Sequence, residues 1–453
     1  MDVLSARVYY PPLFPALLAL LMLALNPLHA LVTAALLAKS ALVIATYVGG
    51  RPMGRVYASV AAILVAVSGA QLEAYAWGAY PQLLGTAFGT LAVYFTVHYV
   101  ASNRRRHLTA AIVLSMLTYL SHVLVGGLLI FAIPIAVVHQ LWMLRASRRE
   151  WAQATAAVTA LVVPGVFYVL YSQFLAGNQG NPVLNPLSQN RNLLLQHAIS
   201  DAPLLWLIML GLGIGALVFR KWSRDRSATV ATGLGWVVAG TCVFMVIGES
   251  RALLLAQLGL ILLSLSCFQR LLELSKDPRV KNHRSRFRRT AFSVVVILGV
   301  GTVAGITVGG INSYLISTRW YRVVDYPELQ ALALLRDVSS HDDLALASEG
   351  HNGNPIGWWV QGFAGIPTYT GVDPRFLTFP DEHQQAQIAN DLFDGRFSDS
   401  ESLETLHSIG ADFLVIDRRG PDAGWLEGGF AGEFERIYDS PTLVVLKVEG
   451  SES

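Results

Sequence analysis

Charge is what this chain has least of: Asp, Glu, Lys and Arg make up 14% of its 453 residues, against 53% hydrophobic. With a mean hydropathy of +0.47, that scarcity excludes an ordinary water-soluble globule. Cysteine is nearly absent as well. Cys242 and Cys267 both fall inside apolar runs, which excludes a disulfide framework or a metal site built on paired cysteines and leaves the redox compartment open. The sequence has no HExxH, CxxC, GxSxG or phosphate-loop motif, so the chemistries that depend on them have no anchor. Met1 to Pro12 also lacks the basic start and apolar core of a signal peptide.

The charges that are present are unevenly divided. Residues 1–312 carry 24 Lys+Arg against 8 Asp+Glu, and residues 313–453 carry 9 against 23. A net charge of +2 therefore hides a basic half and an acidic half. In the basic half, apolar segments recur at about 28–49, 56–71, 82–101, 108–120, 123–143, 154–174, 202–219, 228–247, 251–269 and 291–312. Each reads as a helix, because hydrocarbon offers backbone polar groups no other partner. The fourth and fifth are joined tightly at Ser121-His122. Leu13 to Leu25 is shorter than a full crossing, and reads either as an extra span or as a helix on the outer surface.

Loop charges orient the bundle. One alternate set of loops holds Arg51, Arg55, Arg104 to Arg106, Arg145, Arg148, Arg149, Arg220, Lys221, Arg224, Arg226 and eight cations between Arg270 and Arg289, while the other holds only Arg191 and Arg251. The poor set belongs outside, together with Gln71 to Gln82, His122, the 175–201 loop and the acidic tail. The basic 270–289 run reads as a loop facing anionic lipid, and nothing points to nucleic acid.

The tail has the pattern of an α/β domain. Pro327 to Val338 has helical spacing, and further helices are expected at about 381–394 and 400–409. Leu344 to Ala347, Phe413 to Ile416 and Leu443 to Val448 are short apolar runs bounded by turn residues, as buried strands are. The expected architecture is an α-helical polytopic membrane bundle of about ten spans plus one juxtamembrane helix (1–312), then a small extracytoplasmic α/β domain (313–453).

Candidate chemistry gathers at the outer rim, where charge is costly. The stretch Gln71 to Gln82, QLEAYAWGAYPQ, reads as an aromatic loop carrying one carboxylate, Glu73, beside Tyr75, Trp77 and Tyr80. Such rings stack on sugars, and they also line any membrane interface. Glu249 and Arg251 flank the start of a span, where Arg251 can clamp a phosphate or neutralise its neighbour. His122 sits at a matching depth. Asp201 reads first as a helix N-cap before Pro203. Lys39, in mid-span, either snorkels or faces a cavity. In the tail, Glu349 to Asp373 is dense in Gly, Asn and Pro, which forbids a long regular element, and it carries Trp358, Trp359, Phe363 and Tyr369.

Five stretches carry a family resemblance: YPPLFPALLALL from Tyr10, WGAYPQLL from Trp77, LTYLSHVLVGGLL from Leu117, GESRALLL from Gly248, and IGWWVQGFAGIPTYTG from Ile356. They resemble polytopic bacterial membrane proteins of the GT-C glycosyltransferase superfamily, in particular the group often labelled 6-pyruvoyl-tetrahydropterin-synthase-related membrane proteins. The resemblance implies transfer of a sugar from a polyprenyl-phosphate donor to an envelope glycan or protein acceptor at the outer membrane face. Residue by residue it implies Glu73 as a ligand for acceptor or divalent metal ion, while Glu73 and Glu249 are the candidate catalytic acids on the reading of the residues themselves. It also implies His122 and Arg251 as lipid-phosphate contacts; the reading of the residues themselves adds Trp77, Tyr80, Trp358 and Trp359 as candidate substrate contacts, with lipid bound between the bundle's outer ends and the Trp358-Trp359 loop. In that superfamily a helix and an aspartate-bearing outer loop precede the YPPL stretch, which here begins nine residues after Met1. The expectation is therefore an incomplete transferase: a chain whose gene starts upstream, a fragment, or a remnant without transferase activity. The alternatives are a non-catalytic envelope protein whose outer domain binds a glycan or a partner, and a transporter, for which Lys39 is the only support.

Overall fold

The computed structural model describes residues 11–76, 79–178, 213–214, 223–247, 251–276, 315, 326–353, 356–372, 380–427, 431–432 and 434–448. The chain forms two compact units, residues 1–175 with 183–318, and residues 176–182 with 319–453.

The first unit is a helix bundle: α1 (Leu13–Met22), α2 (Pro27–Gly50), α3 (Arg55–Val67), α4 (Gly69–Ala76), α5 (Tyr80–Ser102), α6 (Arg105–Ser121), α7 (Val123–Leu144), α8 (Arg148–Asn178), α9 (Arg224–Ile247) and α10 (Ala252–Lys276). Among the described residues six helices are long and apolar enough to cross a membrane: α2, α5, α7, α8, α9 and α10. The expected count of about ten is therefore not confirmed among the described residues. The segments expected at 202–219 and 291–312 lie almost wholly outside the described residues, as do Asp201 and most of the 270–289 run.

Two other expected segments have different shapes. The 56–71 segment is not one helix: α3 stops at Val67, Ser68 turns extended (φ −67°, ψ 137°), and α4 begins at Gly69. Serine followed by glycine is a natural break, because the hydroxyl competes for local backbone partners and glycine adds chain entropy. Ser68 Oγ does bond the Val65 carbonyl, at 3.4 Å. The α6 segment is a single 17-residue helix that takes in Arg105 and Arg106 at its start. At 1.5 Å per residue the ten-residue α1 is about 15 Å long, too short to cross a core of about 30 Å.

Local chemistry explains the helix ends. Asn26 caps α2 by accepting from His29 N at 2.9 Å, with Pro27 at the first helical position. The predicted tight joint is a single residue, His122, extended at φ −160° between α6 and α7. That reversal needs small residues on the facing helices. Tyr119 packs against Gly126 and Gly165, where any side-chain carbon would collide with its ring, and its hydroxyl donates to the Leu161 carbonyl at 2.8 Å. Close backbone approach recurs where Gly235 faces the Ala132 carbonyl and Gly240 the Ala252 carbonyl, as expected where lipid supplies no hydrophobic drive and contact must come from packing. Buried hydroxyls satisfy themselves on the preceding turn: Thr86 on the Gln82 carbonyl at 2.8 Å, Thr96 on Ala92 at 2.7 Å, Ser266 on Leu262 at 2.7 Å.

The second unit holds α11 (Tyr326–Val338), β1 (Ala345–Ala347), α12 (Ile356–Trp359) running into a π-helical turn (Val360–Ala364), β2 (Thr368–Thr370), α13 (Pro380–Phe393), α14 (Asp399–Ile409), β3 (Phe413–Asp417), a 3-10 turn (Pro421–Glu427), β4 (Glu435–Asp439) and β5 (Leu443–Lys447). The sheet order is β2-β1-β3-β5-β4, with β1 parallel to both its neighbours and β5 antiparallel to β3 and β4. Alternate side chains feed two cores. Ala345, Ala347, Phe413, Val415, Leu443 and Val445 meet α11 and the 356–364 turn, whereas Leu346, Leu414, Ile416, Val444 and Leu446 meet α13 and α14. Burial on both faces explains why these strands read as unbroken apolar runs. A capping box, Ser398 with Glu401, starts α14, and Gly410 at φ 69° ends it.

Candidate functional site

The stretch Gln71 to Gln82 is less of a loop than its composition suggests. Gln71 to Ala76 is helical, forming most of α4, the Ala79 N–H bonds the Ala74 carbonyl at 2.9 Å, and Tyr80 already begins α5. Its two terminal glutamines are buried, at 2% and 1% exposed. Both point to the start of α10: Gln71 Nε2 donates to the Leu254 carbonyl at 3.0 Å, and Gln82 Nε2 to the Arg251 carbonyl at 3.3 Å. The Leu254 N–H reaches the same Arg251 carbonyl at 3.3 Å, so the first turn of α10 is held from inside and from outside. Buried amides of this kind are tolerated only when bonded, and here they tie together helices more than 160 residues apart.

His122 joins this cluster through Gly85, one turn along α5 from Gln82. A side-chain carbon at Gly85 would stand 3.3 Å from Ser121 Cβ and 3.4 Å from His122 Cβ, so the bare glycine lets the α6–α7 joint press against α5. His122 is buried, with 9% of its surface exposed, and Arg251 is half-buried. Tyr80 is fixed between rings, Tyr75 at 5.5 Å and Phe14 of α1 at 6.1 Å between centroids, which docks the short first helix onto the same end. The structure thus gathers Tyr75, Tyr80, His122 and Arg251 at one end of the bundle. Glu73 lies on α4 between the tethered Gln71 and Tyr75. Trp77 and Glu249 lie outside the described residues.

The tryptophan pair belongs to the second unit. Trp359 stacks on Phe363 at 5.6 Å and 18°, whereas Trp358 is 52% exposed. Of the pair, Trp358 is the one with a face open to a ligand.

A polar network that the sequence reading missed lies at the carboxyl ends of β1 and β3. Asp417 accepts from His351 N at 3.1 Å and from Arg419 N and Nε at 2.9 and 3.0 Å. Arg419 also reaches Glu328 of α11 at 3.0 Å, where both acids are buried. Beside them Asp422, 4% exposed, accepts from Glu349 N at 2.6 Å. Burial pushes its carboxyl up to about 7, a rise helped by the charges of Glu349 and Asp394 and opposed by the Glu349 N–H bond. The only sequence signal was Asp417 and Asp422 on either side of the Gly-Pro turn that follows a strand, which reads equally as an ordinary turn.

Among the described residues no group of three or more His, Cys, Asp or Glu could hold a metal ion. The described donors at the bundle end are one imidazole, one guanidinium and two carboxamides, a set suited to an anion. That described set favours an anion over a divalent cation.

No protein-family model and no curated protein matches the chain. Solved structures do. The oligosaccharyltransferase AglB of Archaeoglobus fulgidus, in complex with an inhibitory peptide and a dolichol-phosphate, aligns over 97% of this chain with a TM-score of 0.56 at 13% identity. The arabinofuranosyltransferase AftD from Mycobacteria aligns over 91% with a TM-score of 0.56 at 16% identity. ArnT from Cupriavidus metallidurans, bound to undecaprenyl phosphate, aligns over 98% with a TM-score of 0.52 at 13% identity. The chain spans 66% of the length of AglB, 33% of AftD and 88% of ArnT. At these identities the likeness is one of fold, and the chain has the GT-C glycosyltransferase fold.

Proposed function

We propose that this protein transfers a sugar from a polyprenyl-phosphate donor to an acceptor, at the end of the bundle formed by Gln71 to Gln82, His122 and the start of α10. The observation that carries the reading is the double tether of Gln71 and Gln82 to the Leu254 and Arg251 carbonyls, which fixes a carboxylate-bearing aromatic helix beside a half-buried arginine and a buried histidine. Two of the structural neighbours hold a polyprenyl phosphate, which supports a ligand of that chemistry here. The excess of arginine at the opposite end supports an outward orientation for this one.

In the reaction, an acceptor hydroxyl oxygen attacks the anomeric carbon and the bond from that carbon to the phosphate oxygen breaks. The electron pair leaves with polyprenyl phosphate. Arg251 and His122 stabilise the leaving phosphate, and Glu73 takes the acceptor proton. Tyr80 and Trp77 supply stacking surface for a sugar, and Trp358 a separate one on the second unit.

Transfer of label from a polyprenyl-phosphate sugar to envelope acceptors, in proteoliposomes carrying the full chain, tests this reading. Label transfer that falls in Glu73→Gln and Arg251→Gln supports it. Absence of transfer together with retained binding of envelope glycan or protein would favour a non-catalytic role.

A further inference from the structure

We infer that the opposite end of the bundle carries a binding site for one anionic phospholipid, with an acyl chain lying in a groove on α7. α7 runs from the His122 joint through 22 residues to Leu144, so its last turns lie about 33 Å from the candidate site. There Pro134, Ile135, Val138, His139 and Trp142, with Leu234 of α9, line a groove of about 440 Å³ whose exposed lining is apolar. Pro134 lacks the N–H that would bond the Ile130 carbonyl, and its ring forms part of the groove wall. Val138 and Trp142 are 52% and 58% exposed, so the groove opens sideways toward lipid.

Two independent features select the occupant. The first is charge. The groove runs to within two residues of the end of α7, where Arg145, Arg148 and Arg149 follow, all exposed and none in an ion pair among the described residues. The one acid on this turn, Glu150, accepts from Ser147 N at 2.7 Å and from Ser147 Oγ at 2.9 Å as the cap of α8. The carbonyl end of α7 contributes about half a negative charge, which three full positive charges outweigh. An anionic headgroup is therefore favoured and a zwitterionic one gains little.

The second feature is the groove itself. Its exposed lining is carbon, with the rings of His139 and Trp142 6.3 Å apart, and it begins beside the arginines. Headgroup and acyl chain of one lipid are therefore held together, whereas a free phosphate would use the arginines and leave the groove idle.

The test uses the full chain in nanodiscs of zwitterionic lipid doped with a few per cent of acyl-brominated lipid, either phosphatidylglycerol or phosphatidylcholine. The Trp142 signal is isolated by subtracting the Trp142→Phe variant. The anionic bromolipid is expected to quench Trp142 as if enriched roughly fivefold or more over the zwitterionic one. That preference is expected to vanish in Arg145→Gln/Arg148→Gln/Arg149→Gln. High salt on the unmodified chain provides the same comparison if the triple variant misfolds. Equal quenching by the two lipids, or a preference that survives both removal of the arginines and high salt, would overturn the assignment.

Discussion

Gln82, in the first turn of α5, donates its side-chain amide to the main-chain carbonyl of Arg251, at 3.3 Å and across 169 residues of sequence. Gln71 does the same for Leu254 at 3.0 Å. Leucine at either position would fill similar volume but remove the donor, at a cost of about 1 kcal/mol each. The double variant Gln71→Leu/Gln82→Leu is expected to lower the melting temperature in detergent by a few degrees and to weaken binding of polyprenyl phosphate. An unchanged melting curve would show that the tethers are incidental.

Gly85 sets the position of His122. Alanine there meets Ser121 and His122 at 3.3–3.4 Å, tight but open to a small shift, whereas the extra methyls of valine drive into the α6–α7 joint. Gly85→Ala should bind lipid phosphate nearly as the unmodified chain does. Gly85→Val should bind it at least several-fold more weakly, and isothermal titration distinguishes the two. Equal loss in both variants would mean that His122 placement is not what Gly85 protects.

These relationships also show how far the sequence could be read. The α6–α7 joint was visible because Ser121-His122 interrupts two apolar runs, and β1, β3 and β5 because Asp, Gly, Ser or Pro bounds a short apolar core. β4 was not, since Glu435 to Asp439 is an exposed edge strand with no apolar run to announce it. α4 was read as a loop because small and aromatic residues there carry no amphipathic period. The glutamines were seen as the ends of a motif, but no local rule places the partner of a side-chain amide on a helix more than 160 residues away. Arg251 and His122 were legible for a simpler reason: charge and imidazole at a membrane rim are rare enough to stand out.

Asp422 gives the second unit a pH dependence. Its carboxyl is raised from the usual carboxylate range to about 7, so the folded chain keeps a proton that the unfolded chain releases near pH 4. The contribution is fully present at acid pH. It is lost as pH climbs from about 4 to about 7, by up to roughly 4 kcal/mol, and is flat above that. Asp422→Asn keeps an acceptor for Glu349 N–H and removes the titration, so it should flatten the profile and stabilise the unit at pH 8. Hydrogen exchange of the β1 and β3 peptides in the full chain, corrected for intrinsic rates, measures this. Protection that rises from pH 5 to pH 8 would have the wrong sign.

The most direct measurement is the affinity of the full chain, in nanodiscs, for undecaprenyl phosphate, compared with Arg251→Gln and His122→Asn. A charge-assisted bond from guanidinium to phosphate contributes about 1.5–3 kcal/mol, so Arg251→Gln should weaken binding roughly 10- to 100-fold. His122→Asn should weaken it less, and Arg336→Gln, an exposed arginine of the second unit, not at all. Affinity that is unchanged in Arg251→Gln, or reduced equally by Arg336→Gln, would contradict a lipid-phosphate site at the Gln82–Arg251 end.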